Sequence, residues 1–597
     1  MDGPVESDAH LYSMRLISVK AFLERESLIR EGKRVDRRTK VLEFGDDEAT
    51  KYAILSHRWI SQEVDYKEIV KLSKKKRDEI RQRDGYQKIL QSCEQAQKDG
   101  YEWLWVDTCC IDKRSSAELS EAINSMYRWY ENAGVCYAYL HDVPGESFPT
   151  ASDNERYPDF RGWPEWFSRG WTLQELIAPG NVQFFNKDWK NIGDKRMLAP
   201  TLAGITGIPQ HILTHGLHGN RPCVAQMISW AANRTTTRVE DRAYSLMGLL
   251  DVNMPMLYGE GEKAFHRLQL EIIRASNDQT IFAWFPSTEN MQPGSILADS
   301  PSAFRDCGEM ELMDHDEFIQ YVGEDVPREE LHSMEDRLGA FPVTNRGVHI
   351  WMLLRPFRDC SSLFKAWLPC RGRPRAPPIP IYLALWESNY YRWGVSPYAE
   401  LFGEVPVQLR QVYLGYQDPL HRRNCTTFEI DDSALTENGF TCCDVYPKEF
   451  TGNTLTLTRT DFLCIKVYSD ADGPANHRFV LGLGQSFGKD WIHVVSDEPS
   501  SLENYAKVKY IEILIRAPEH AHHMNKARSG ADYYGQVYIT QTRLPRTRIL
   551  QTSSVTWRSS SMCGVKLEVV RDPGFGGVSG EWTAFDVNVR IFFCVFH

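Results

Sequence analysis

Residues 51–58 read KYAILSHR, an apolar run from Tyr52 to Leu55 that ends abruptly in Ser56, His57 and Arg58. A short run of this kind is a buried strand stopping at a loop. The charged stretch 63–84, which includes LSKKKRDEIRQRDG, then reads as a solvated excursion. From Tyr86 onward Ile89, Leu90, Cys93 and Ala96 fall on one helical stripe that Gly100 closes, and Trp103 to Val106 is a second strand, stopping at Asp107. The pattern repeats. Leu119, Ala122, Ile123, Met126, Tyr130 and Ala133 recur at helical spacing, Gly134 ends that helix, and VCYAYL at 135–140 is the third strand. A polar loop leads to WFSRGWTLQEL at 166–176, read as a short helix, and then to NVQFFN at 181–186, the fourth strand. Such alternation predicts a mainly parallel sheet wrapped by helices, because parallel neighbours need a long crossover. Ligands of these sheets bind beyond the carboxyl ends of the strands, so Ser56, His57, Arg58, Asp107, Thr108, His141 and Asp142 are expected along one edge.

With 597 residues, two or three domains are expected. The α/β core is placed at 51–190, after an N-terminal segment at 1–50. Residues 191–290 form a helical extension, with VAQMISWAANR and EGEKAFHRLQLEIIRAS as its clearest stretches. An irregular linker at 291–340 leads to a β-rich domain at 341–597. Its short alternating runs GVHIWMLL, IPIYLALW, DFLCIKVY, RFVLGLG and KYIEILIRA predict a sandwich or barrel.

Composition narrows the function. The 80 acidic against 69 basic side chains give a net charge of -11, which argues against a general nucleic-acid binder. No run of eighteen apolar residues predicts a membrane span, and MDGPVESDAH has neither the basic nor the apolar region of a secretory leader, so a cytoplasmic location is expected. The 14 cysteines include no CxxC and are read as reduced, mostly core thiols. GLGQSFGKD at 482–490 departs from phosphate-loop spacing and has Asp490 where Ser or Thr would hold magnesium. His211 and His215 lack the acidic partner of a metalloprotease, HAHH at 520–523 is a weak loop tract, and no metal site is assigned.

Glu175 raises a sharper question. It stands in a stretch whose Trp171, Leu173, Leu176 and Ile177 are apolar. Either it is an exposed helix glutamate, or it is a buried acid kept for chemistry at a solvation cost of roughly several kcal/mol.

The segments YAILSHRW, LWVDTCCID and WFSRGWTLQEL together resemble the fungal heterokaryon incompatibility (HET) domain family. The resemblance continues through EDRAYSLMGLLDVNMPMLYGEGEKAF at 240–265 and LQLEIIRASNDQTIFAW at 268–284, and reaches FPVTNRGVHI at 341–350. It implies fungal non-self recognition ending in cell death. It further implies remote kinship with Toll/interleukin-1 receptor (TIR) domains, and hence a flavodoxin-like parallel sheet. In that setting WTLQEL is similar to the W-C-L-x-E-L helix whose glutamate is catalytic in NAD-cleaving members, although Thr172 stands where many have cysteine. Glu175 then becomes the catalytic candidate, with NAD as substrate and no separate cofactor.

Ser56, His57, Arg58, Asp107 and Trp171 become the substrate-binding candidates. Arg58 and the Ser56 hydroxyl are the natural donors to a pyrophosphate. Asp107 would bind the adenosine-side ribose or simply cap the Thr108 or Cys109 amides. Cleaving the nicotinamide–ribose bond passes through an oxocarbenium-like state that a carboxylate stabilises. The leaving group is already cationic, so one acid suffices. The implied partners are further copies of the chain on activation and an incompatibility partner protein. A different class remains open, in which the same residues are structural and the domain is a non-catalytic signalling module that acts by assembly.

Overall fold

The computed structural model describes residues 13–33, 40–70, 77–217, 219, 221–286, 294–322, 339–357, 360–386, 388–393 and 406–417, and beyond these the strands between 426 and 594 given below. The chain divides into two compact units. The first takes the residues up to 287 together with 297–314 and 369–378.

Its centre is a seven-stranded sheet of β1 (Ser13–Ser18), β2 (Leu42–Asp46), β3 (Tyr52–His57), β4 (Trp103–Trp105), β5 (Val135–Tyr139), β6 (Val182–Phe185) and β7 (Asn191–Asp194). The spatial order is β2-β1-β4-β3-β5-β6-β7. The four strands expected from sequence, β3 to β6, are mutually parallel, and β3 is buried at every position. Among them the order is second, first, third, fourth, so the winding direction reverses between β3 and β5. That reversal is where an open α/β sheet leaves a crevice at its carboxyl edge.

Both flanks depart from the parallel expectation. β1 runs antiparallel to β4 and to β2, and β7 runs antiparallel to β6. β1 and β2, which lie in the N-terminal segment set apart from the core in the sequence reading, are thus part of its sheet. Their strands are short and paired across a long stretch of chain, as in Ile17 with Leu104, so no local period announces them.

The helices are α1 (Val19–Arg30), α2 (Tyr66–Val70), α3 (Arg77–Arg81), α4 (Asp84–Lys98), α5 (Asp107–Cys110), α6 (Ser116–Asn132) and α7 (Thr172–Ile177). The stripe of Tyr86, Ile89, Leu90, Cys93 and Ala96 on α4 is buried, as its spacing requires. Ser115 caps α6 by accepting the Glu118 amide at 3.3 Å. Gly134, which leads into β5, has no room for a side chain, since an added Cβ would lie 2.6 Å from the Tyr101 hydroxyl.

The stretch 63–84 is not simply solvated. Ile69 and Ile80 are buried, and among its described residues Glu63, Arg81 and Arg83 are ion-paired. Glu26 of α1, itself buried, accepts from Arg81 Nη2 at 2.5 Å, Tyr86 Oη at 2.8 Å and Arg30 Nε at 3.1 Å. A buried charge is tolerated on this condition of multiple partners.

Six further helices lie between Ala199 and Ala275, the longest being the amphipathic Lys263–Ala275. Of the expected linker, residues 297–314 belong to this unit. Ala298 exchanges two hydrogen bonds with Gln269, at 2.7 and 2.9 Å, and Phe304, Cys307 and Met310 are buried. Among the described free cysteines, Cys93, Cys109, Cys110, Cys136, Cys223, Cys307 and Cys370 are buried, while Cys442 and Cys443 are exposed. No described helix is long and apolar enough to cross a membrane.

The second unit is β-rich. Strands Val348–Phe357, Cys360–Trp367, Pro380–Trp386, Asn389–Trp393 and Gln408–Leu414 close into a barrel. A four-stranded sheet comprises Thr441–Tyr446, Leu463–Ser469, Arg478–Ser486 and Lys489–Val495, and a five-stranded sheet is formed by Thr426–Asp431, Thr454–Leu457, Tyr533–Ile539, Met562–Arg571 and Phe585–Cys594. GLGQSFGKD spans the facing ends of two antiparallel strands, a setting unlike the strand-to-helix turn of a phosphate loop. HAHH and KYIEILIRA lie outside the described residues.

Candidate functional site

Ser56 occupies the next-to-last position of β3, and α7 lays Glu175 against it. The Ser56 hydroxyl donates to Glu175 Oε2 at 2.5 Å and accepts from the Trp166 indole at 2.9 Å. Ser56 is 0% exposed and Glu175 is 7% exposed, so the reading of Glu175 as a surface helix residue is overturned. The whole of α7 is buried, and in the turn before it Trp166 meets Phe167 and Phe184 edge to face.

Thr172 fixes the start of that helix. Its hydroxyl donates toward the carbonyls of Trp166 and Arg169, at 2.7 and 2.9 Å, and accepts from Arg234 Nη1 at 3.0 Å. The same Arg234 nitrogen donates to the Arg169 carbonyl at 2.9 Å. A hydroxyl at this position therefore staples the turn that presents Glu175.

Burial pushes the Glu175 carboxyl up to about 8, against the pull of the Ser56 hydrogen bond; Asp107 adds to the rise, and Arg169 and Arg234 oppose it. The acid is neutral in the closed site at pH 7. Its proton has a consequence for stability. Folded Glu175 stays protonated to about pH 8, whereas an unfolded glutamate ionises near 4.5, so its contribution is whole below pH 4.5 and is lost as pH rises through about 8. The loss is about 1.4 kcal/mol per pH unit across that window. Glu175→Gln, neutral at every pH, should match the parent near pH 4.5 and exceed it increasingly toward pH 8. Urea unfolding of both proteins at several pH values checks this, and parallel curves would contradict it.

A second group of side chains shares the strand edge. His57 is buried with its Nε2 3.7 Å from Glu63 Oε2 and 3.9 Å from Asp107 Oδ1, and neither ring nitrogen has a hydrogen-bond partner. Burial, followed by the charge of Lys88, pushes its pKa down, so His57 is neutral. Lys88 pairs with Glu63 and donates to the Arg58 carbonyl at 3.3 Å. Asp107 accepts from the Trp59 indole at 2.7 Å, and the Lys113 ammonium lies 3.5 Å from the centre of the Trp59 ring. The Cys109 amide goes instead to the Val106 carbonyl at 3.3 Å.

The candidates are thus only partly assembled. Ser56 and Glu175 touch, and His57 and Asp107 flank the same edge. Arg58, expected to be a free pyrophosphate donor, is engaged by Glu165, which also lies 3.7 Å from His141 Nε2. Trp171 is half-buried beside Asp241 of the helical region. Sequence reasoning missed Glu63, Lys88, Glu165, Trp166 and Arg234. Trp166 opens the stretch already singled out and Glu165 adjoins it, but Arg234 reaches α7 from the loop after the helix Val224–Ser229, and no local pattern marks it.

Residues 52–162 match the family described as Heterokaryon incompatibility protein (HET). That match contains Ser56, His57, Arg58 and Asp107 and ends before Trp171 and Glu175. Over 224 residues the chain is 46% identical to the Vegetative incompatibility protein HET-E-1 of Podospora anserina. The aligned stretch is 37% of this chain and 16% of that protein, so the chain spans only a small part of its relative's length. No solved structure matches.

Proposed function

We propose that this chain, which carries a HET domain over residues 52–162, serves fungal vegetative incompatibility and that its first unit cleaves NAD at the nicotinamide–ribose bond. The reading follows the TIR-like resemblance, and one observation carries it: a buried carboxyl, Glu175, bonded to Ser56 at the carboxyl edge of β3, beside the reversal of strand order. In the reaction the ribose C1′–N bond breaks and its electron pair leaves with neutral nicotinamide. Water then adds to C1′ and releases a proton. The Glu175 carboxylate would hydrogen-bond the ribose hydroxyls in place of Ser56 and stabilise the positive charge that builds at C1′.

The resting site is closed and its acid protonated, which fits a protein that must not destroy NAD until triggered. The cationic nicotinamide ring brought beside Glu175 favours the carboxylate form. Nicotinamide release from NAD by the purified full-length chain tests the reading across pH and protein concentration. The kcat/KM should climb about tenfold per pH unit below the Glu175 pKa of about 8 and level off above it. No release at any pH or concentration would defeat it. The closed site also favours a second reading, a signalling module in which the Ser56–Glu175 pair is purely structural. In that case Glu175→Gln would still trigger incompatibility.

A further inference from the structure

Beside Arg234 and Gly170, the first unit has a partly open cavity of about 190 Å³. Two guanidinium-bearing residues, Arg234 and Arg242, line it with Thr236, Ser245, Ser300 and Ser302, and no lining residue is acidic. Arg234 is 9% exposed, and its Nη2 is buried with no hydrogen-bond partner. Ser245 is 2% exposed, and its hydroxyl makes no hydrogen bond among the described residues. Ser300 accepts the Ser302 hydroxyl at 3.2 Å, which leaves the Ser300 proton available.

A buried guanidinium nitrogen of Arg234 with no partner, and no carboxylate in the wall, stands at a cost until an anion fills the space, and the exposed Arg242 adds a second positive charge at its rim. A typical organic-ligand pocket holds roughly 300–1,000 Å³, so this smaller space suits a single phosphate group and its water. From the geometry we infer that this cavity binds a phosphate-type anion through Arg234, Arg242 and the Ser245 hydroxyl. The site is independent of whether NAD is cleaved. Arg234 also holds Thr172 at the start of α7, so an occupant would brace the helix that carries Glu175.

Inorganic phosphate is the probe, titrated into the full-length chain at low salt and followed by calorimetry. Saturable binding of one equivalent is expected, and the chain's net charge of -11 works against any nonspecific attraction. Arg242→Gln changes an exposed residue and should weaken binding at least about tenfold by removing a charge-assisted contact; Ser245→Ala should weaken it a few-fold. The exposed control Arg274→Gln should change nothing. Loss of phosphate binding on adding ADP-ribose would assign the cavity to the phosphates of a nucleotide. Undisturbed binding would assign it to free phosphate or a simple phosphate ester. Absence of saturable binding, equal weakening by the control, or parent-like binding in both Arg242→Gln and Ser245→Ala would overturn the inference.

Discussion

Glu175→Gln should lower NAD cleavage about 10²–10³-fold, the roughly 2.7–4 kcal/mol that accompanies loss of one preorganised electrostatic stabiliser. The amide keeps the size of the acid and can still accept the Ser56 hydroxyl, but it cannot become an anion when a cation develops beside it. The effect should fall on kcat rather than KM, since the charge matters only as the bond breaks. Folding is not at risk. Glutamine resembles the protonated acid that the closed site already prefers, so the variant should be at least as stable at neutral pH as its parent. Steady-state nicotinamide release and urea unfolding, measured on one preparation, separate the two effects. A variant that unfolds would show Glu175 to be a structural anchor. A folded variant with undiminished cleavage would remove it from the chemistry.

A chain beginning at residue 51 is expected not to fold. The truncation strips β1 from the edge of β4 and removes Met14, Leu16, Ile17, Phe22 and Ile29, all buried. At about 1.5–3 kcal/mol for each large apolar side chain, their summed burial is comparable to the entire stability of an ordinary domain, roughly 5–15 kcal/mol. It also leaves Arg81 and Tyr86 without Glu26. Removing that one carboxylate in the full chain, as Glu26→Ala, should already cost about 1–3 kcal/mol because buried Tyr86 and half-buried Arg81 lose their acceptor. Circular dichroism and denaturant melts of the truncated and full chains decide the matter. A cooperative transition at an unchanged midpoint would show that the first strands are dispensable.

The sequence was legible where burial is periodic and local. The run Tyr52–Leu55 and the stripe on α4 correspond closely to the observed strand and helix, because a strand buried on both faces and an amphipathic helix each write their geometry into spacing. The β1 and β2 strands were missed for the opposite reason, their stability coming from partners far along the chain. The site divides in the same way. Strand-end polarity marked Ser56, His57 and Asp107, and its apolar surroundings marked Glu175, while a catalytic role for Glu175 needed a family resemblance. The engagement of Arg58 by Glu165 and the reach of Arg234 to Thr172 are consequences of folding over 107 and 62 positions respectively.

The two outer strands of the sheet carry a constraint on how copies of this domain can polymerise. β2 is five residues long, with Glu43, Phe44 and Asp46 exposed, and β7 is four residues long, lies beside a register shift at Phe184 and Phe185, and contains Gly193 at φ 141°. Short, charged or irregular margins are poor templates for strand addition. A filament grown by extending one continuous sheet from molecule to molecule is therefore disfavoured. Growth of any ordered array has to use contacts between side-chain surfaces, which can be tuned one substitution at a time and need not draw the chain toward amyloid.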